Sequence, residues 1–255
     1  MRAFLSLSRK EFMENIRTYK LVIMVLALSV IGLMSPFLAK VLPDLISGTD
    51  LGNGVVLTLP EASSVDSWTQ FFSNIAQLGM LVVIIVFCGL MASELSKGTL
   101  VPLLTKGTPR GAVILSKFFV SVLIWSVAYA ISWAVCLVYT YYFWGIQEFH
   151  HPWMTFLAPW LFGVLLISLM ILGGTFFSNI GGSLGLVAFT VVVLNLINLA
   201  PWTRKYNPVT LAEGTLDLMT GAKSVDDFIP AFTHCGVMIV VVMALSLYVF
   251  HRKQL

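Results

Sequence analysis

Charge is what this sequence has least of. Its 255 residues include 15 Lys or Arg and 12 Asp or Glu, 11% in all, against 58% hydrophobic residues and a mean hydropathy of +0.92. A water-soluble domain carries roughly a quarter charged residues, so this chain has too little polar surface to cover a soluble globule. Water as the sole solvent is excluded, and with 13% aromatics so is the composition of a disordered chain.

Cysteine and catalytic motifs are scarce as well. Cys88, Cys136 and Cys235 are odd in number and fall inside apolar runs. No disulfide framework follows from them, and they read as small buried hydrophobes. There is no G-x-x-x-x-G-K-[ST] phosphate loop, no H-E-x-x-H pair and no G-x-S-x-G elbow. The chain is therefore not expected to be an enzyme or to hydrolyse ATP itself.

The missing charges leave a pattern. No Asp, Glu, Lys or Arg occurs in 21–39, 67–93, 118–147, 154–203 or 228–251. A bilayer span needs roughly 20 apolar residues, so four of these gaps hold one span each. The 50-residue gap holds two, divided at Ser178-Asn179-Ile180-Gly181-Gly182-Ser183. Barrel strands would alternate over about ten residues, whereas these runs are continuous. The expected fold is an all-α polytopic membrane protein forming a single domain over 1–255. Its spans fall near 20–38, 70–92, 117–144, 156–177, 183–200 and 229–250. A cleaved signal peptide does not fit the first span, which follows a 20-residue charged lead and precedes no A-x-A-like site.

Six spans put both termini on one side, together with the 93–117 loop and the 178–183 turn. That side collects eleven basic residues, among them Lys10, Lys97, Arg110 and Lys117, against the acids Glu11, Glu14 and Glu94 alone. The other side has Lys40, Arg204, Lys205 and Lys223 against nine acids. Positive charge marks the cytoplasmic side, so both termini are expected in the cytoplasm of a cell membrane. The basic excess is a topological address and implies no nucleic-acid partner. Trp68, Trp144, Trp153, Trp160 and Trp202 fall at expected outer helix ends, where an aromatic belt anchors in the headgroups.

Residues 2–19 suit a helix lying on the membrane. Leu5, Phe12, Met13 and Ile16 share one face, with Lys10, Glu11, Glu14 and Arg17 mostly opposite. Two readings are open, an interfacial elbow or a basic lead that only sets topology, and the amphipathic pattern favours the first. Outer segments are expected at 39–69, punctuated by Pro43, Gly48, Gly52, Gly54 and Pro60, and at 201–228, with one or two short helices. Glu148, His150 and His151 form a small acid–histidine group on the short outer loop between the third and fourth spans. Metal binding needs more ligands and geometry, so a solvated loop is the simpler reading. His234, just inside the outer end of the sixth span, reads as hydrogen-bonded packing.

The most informative stretch is the loop from Ala92 to Arg110. Polar helix formers lead into Leu95, Leu100, Leu103 and Leu104, and Gly107 and Pro109 end the segment. A short helix over 94–106 is expected, its leucines on the bundle and its polar side towards water or a partner. The pattern E-x-x-x-G-T-L-x-x-L-L (Glu94, Gly98, Thr99, Leu100, Leu103, Leu104), then Pro109-Arg110 and Lys117, resembles the cytoplasmic loop of ABC-2 type permeases. These are the membrane subunits of ATP-binding cassette transporters. The likeness extends to the basic elbow, the six spans and the outer segment with Asn207-Pro208. Such loops often carry arginine before the glycine, where this chain has Lys97.

The resemblance implies a division of labour. Two permeases, two copies or this chain and a paralogue, would form the substrate path in the lipid bilayer. Each would meet a separate ATPase subunit, two per complex, which would bind ATP and Mg; this chain would need no cofactor. Glu94, Leu95, Lys97, Gly98, Thr99, Leu100 and Leu103 would form the coupling element, with Glu94 and Lys97 as polar contacts. It also implies that spans two and five face the partner permease, so Asn74, Gln77, Asn195 and Asn198 would line an outer gate. The plainer reading of those amides is interhelical hydrogen bonding within one subunit. The expected function is therefore the permease subunit of an exporter. An ATP-independent carrier is the alternative, disfavoured by uncharged spans; a non-transporting scaffold or sensor is the other.

Overall fold

A computed structural model of the chain describes residues 2–46, 62–105, 107–145 and 150–253. Among them all regular structure is helical, and six helical segments are long and apolar enough to cross a bilayer. The fold is an all-α, polytopic membrane architecture. The turns expected at Gly48, Gly52, Gly54 and Pro60, and Glu148, lie outside the described residues.

Helix α1 (Arg2–Arg17) precedes the first span, α2 (Lys20–Ile46). The second span comprises α3 (Ser64–Asn74), a π-helical turn (Ile75–Gly79) and α4 (Met80–Phe87). Two short helices follow, α5 (Ala92–Ser96) and α6 (Val101–Thr105). The third and fourth spans are α7 (Arg110–Trp144) and α8 (Pro152–Phe177), and the fifth is α9 (Ile180–Asn198). A 3₁₀ turn (Arg204–Tyr206), α10 (Thr210–Glu213) and α11 (Thr215–Met219) lead to the sixth span, α12 (Val225–Arg252).

Several boundaries differ from the sequence expectation, for one physical reason. Apolar runs mark what lipid requires, whereas a helix continues into interfacial residues until something caps or breaks it. Thus α2 runs past 38 through Lys40 and Pro43, and α7 begins at Arg110 rather than 117. Two starts are set by Ser-x-x-Asp capping boxes. The Asp66 carboxylate accepts from the Ser63 backbone N–H at 2.8 Å, and Asp227 accepts from that of Ser224 at 3.2 Å. At α9 the cap is Asn179, whose Oδ1 accepts from the Gly182 N–H.

Helix α8 is the centre of the bundle. Of its most apolar stretch 72% is buried, against 17% for α9, which packs on it together with α12. On the other flank α2 packs chiefly against α7. Close approach is needed where α7 meets α8, because a Cβ at Gly163 would stand 2.5–2.6 Å from the Trp125 ring. The Trp125 indole N–H donates to the Trp160 carbonyl at 3.0 Å.

The aromatic expectation holds for Trp153 and Trp202, which are exposed, and fails for Trp68. Trp68 is fully buried against Phe71, Phe72 and Trp133. The capping box starts α3 one turn earlier in sequence than Trp68, which carries the indole inward instead of leaving it at the helix end.

Both termini lie at one end of the bundle. Arg110 Nη1 donates to the carbonyls of Phe250, His251 and Lys253 at 2.7–2.8 Å, capping the end of α12. The Lys253 ammonium in turn donates to Thr175 O at 2.6 Å and to Ser178 Oγ, capping the end of α8. Cations suit helix C-termini because the last carbonyls are unpaired and carry partial negative charge.

Candidate functional site

At the end that carries the termini, α1 turns inward a face that includes the charged Glu11. Leu7, Glu11 and Asn15, one helical turn apart, are buried, and α1 packs on α7, with Phe4 against Phe119. Leu5, Met13 and Ile16 point away from the protein and are exposed. The sequence pattern placed Glu11 on the water side; the reason it is buried is Lys117. That lysine lies two turns inside α7 rather than at its start, with 2% of its side chain exposed. The expectation of charge-free span interiors is corrected at this position.

Lys117 joins three parts of the chain. Its Nζ lies 2.9 Å from Glu11 Oε2 of α1 and 2.9 Å from Glu94 Oε1 of α5. Lys10 closes the network from outside, 3.6 Å from Glu11, 3.6 Å from Glu14 and 3.7 Å from Glu94. The three acids of this basic end therefore meet at one point, their carboxylate oxygens within 4.8 Å of one another. Two ammonium groups supply the positive charge that such a trio demands. Burial pulls the Lys10 ammonium down, but Glu94, Glu11 and Glu14 together outweigh it and hold its pKa above the usual 10.5.

The 92–105 stretch is held on the bundle by apolar anchors and this network. Leu95 and Leu100 are buried, and Leu103 and Leu104 pack against the core, as the leucine pattern predicted. Its floor is tight, because a Cβ at Gly174 of α8 would stand 2.8 Å from the Ala92 nitrogen. The continuous helix expected over 94–106 is instead two helical turns, α5 and α6. Gly98 divides them at φ +66°, a left-handed conformation that favours glycine. The Thr99 N–H folds back to Glu94 O at 3.1 Å. Lys97, Gly98 and Thr99 consequently form an exposed knuckle, continued by Val101 and Pro102. Of the two polar contacts expected to face outward, Lys97 is exposed, whereas Glu94 is engaged within the chain.

At the opposite end the four amides part company. Asn74 donates to Ser35 Oγ of α2 at 3.1 Å, an interhelical bond within the chain. Asn198 donates to Glu213 Oε2 at 3.3 Å. Gln77 and Asn195 alone among the four line one recess of about 330 Å³, with Thr69, Phe72, Ser73, Phe162 and Glu213 also on its wall. The intervening π turn separates Asn74 from Gln77, since its wider winding breaks the 3.6-residue register.

Other candidates have ordinary places. His234 Nδ1 donates to the Pro230 carbonyl at 2.9 Å, and its ring packs edge-on against Tyr206. The His150 backbone N–H donates to Met219 O, and His151 is the exposed residue before α8. Among the described residues Cys88, Cys136 and Cys235 are unpaired.

No protein-family model matches the chain. Over its whole length it is 20% identical to YxlG of Bacillus subtilis (strain 168), an uncharacterized transmembrane protein, and it spans 99% of that relative. Sequence and structure together define a multi-pass membrane protein with six candidate spans.

Proposed function

We propose that this chain is the membrane subunit of an ABC-2 type ATP-binding cassette exporter. The observation that carries the reading is the 92–105 stretch, which presents Lys97, Gly98 and Thr99 outward while Glu94 is tied through Lys117 to α7 and α1. Such a knuckle suits docking on a separate ATPase that binds ATP and Mg. Leu95, Leu100 and Leu103 are the anchors that keep it rigid. A push on it reaches α7 and α1 through the buried Lys117 cation that Glu94 and Glu11 share.

The excess of basic residues at the same end supports a cytoplasmic side for the knuckle and both termini. Helix α1 fits an interfacial elbow, its apolar Leu5, Met13 and Ile16 turned to lipid. Two copies, or this chain with a paralogue, form the path, and two ATPases drive it. Alternating access follows from closing the ATPases against the two knuckles.

Affinity purification of the full-length tagged chain tests this reading. A phosphate-loop ATPase should be recovered with it, and altering Lys97 to Thr99 should release that subunit while the chain still folds. Transport under a proton gradient by the isolated chain would sink the proposal.

A further inference from the structure

We infer that the recess between the second and fifth spans is a binding site for an amphipathic organic cation. Its apolar walls are Phe72 and Ala76 of the second span, Phe162 of α8, Val191 of α9, and Val209, Ala212 and Leu216 of the segment before α12. A volume of about 330 Å³ is at the small end of ligand pockets. Every polar group on this wall can accept a hydrogen bond, and none is cationic.

The Asn195 amide orientation is set by its own helix. Asn195 Nδ2 donates to the Val191 carbonyl at 2.9 Å, and a carbonyl accepts only a donor, so the amide oxygen is the other end. Gln77 Nε2 donates to Ser73 Oγ at 3.1 Å. Among the described residues neither amide oxygen accepts a hydrogen bond. The Asn195 oxygen is therefore an open acceptor on the wall of the recess, and the Gln77 amide is a second polar group there.

Glu213 adds charge. Its carboxylate accepts from Asn198 Nδ2 and forms no ion pair among the described residues. Arg204 reaches Asn198 O through Nε but does not line the recess, and no Lys or Arg does. One carboxylate and an open amide oxygen, with the Gln77 amide beside them, on an aromatic wall match an ammonium head on an apolar body. A carboxylate or phosphate ligand would meet repulsion and find no basic partner.

The π turn is the second observation. Ala76 and Gln77 on this wall belong to Ile75–Gly79, where one widened turn interrupts the α-helix. Such turns occur mostly as single insertions, frequently at functional sites. Here it turns Gln77 towards α9 while Asn74 stays bonded to α2.

As a cargo site this recess rests on the exporter reading; as a binding site it stands alone, and the test needs no ATPase. Calorimetry on the full-length chain in phosphatidylcholine nanodiscs would compare 4-phenylbutylammonium with its neutral isostere 4-phenylbutanol. The cation should bind about tenfold or more tightly than the alcohol. Glu213→Gln should bring it down to the alcohol's affinity while leaving the alcohol's unchanged. Gln77→Leu should weaken the cation with the melting temperature unaltered. Equal affinities, no saturable binding, or a preference that survives Glu213→Gln would overturn the inference. A chain that recovers its ATPase yet binds no cation keeps the exporter reading and loses this one. Cation binding without any ATPase does the reverse.

Discussion

The Lys117 ammonium lies 2.9 Å from the Glu94 carboxylate, tying the start of the 92–105 stretch to the third span. The same nitrogen holds Glu11 of α1 at the same distance. Three elements distant in sequence thus share one buried cation, and any movement of the exposed knuckle is felt by α1 and α7 together.

Removing that cation should be costly. Lys117→Met leaves Glu11 and Glu94 buried without their partner, and breaking a buried pair typically costs about 3–5 kcal/mol. Unfolding in detergent micelles should show that loss. The triple variant Glu11→Gln, Glu94→Gln, Lys117→Met should recover most of it, because replacing a whole buried pair is often neutral.

Gly98 should resist substitution. A non-glycine residue in the left-handed region costs about 1–2 kcal/mol, so Gly98→Val should lower stability by that amount or reshape the knuckle. A thermal melt, with proteolysis at Lys97 as a local probe, checks which.

Gly163 should be sensitive to size. Any side chain there meets the Trp125 ring, and overpacking a filled core costs about 1–3 kcal/mol. Gly163→Ala should destabilise within that range and perturb Trp fluorescence, whereas Gly185→Ala, with open space around it, should do neither.

The pH dependence from Lys10 lies on the alkaline side. Its folded pKa is raised above 10.5 by its three carboxylates. Its contribution is therefore fully present below 10.5 and is lost as pH rises through the folded value. Melting temperatures across the neutral range should not report Lys10, and Lys10→Met should remove an alkaline loss of stability.

Asn74 and Gln77 should behave differently despite their spacing. Asn74→Ala loses an interhelical bond to Ser35, worth about 0.6 kcal/mol on average in membrane helices. Gln77→Ala should leave stability unchanged and alter only ligand binding. Paired melting and binding measurements separate the two.

The fold was legible because lipid excludes charge so strictly that five charge-free gaps reveal six spans. The helix ends were less so. Nothing in an apolar run tells that α7 begins at Arg110, and this one displacement hides Lys117 inside the helix. A helical wheel did not give the burial of Glu11, because it shows the faces of α1 but not which one meets the protein. A signal did exist: only three acids share the basic end, and all three converge. The leucine anchors of 92–105 were readable from spacing, whereas the break at Gly98 depends on backbone conformation. For the amides, convergence was not readable, because the π turn alters the register between Asn74 and Gln77. Glu213 was missed because its approach to the recess depends on how α10 packs back onto the spans.

The central claim is that the exposed knuckle docks on a separate ATPase, and site-specific cross-linking tests it most directly. A cysteine at Thr99, in the full-length chain purified with its native partners, should form an adduct with a subunit carrying a phosphate loop. ATP should change the yield of that adduct. An adduct with no nucleotide-binding protein, under conditions where the chain still moves a solute, would contradict the account.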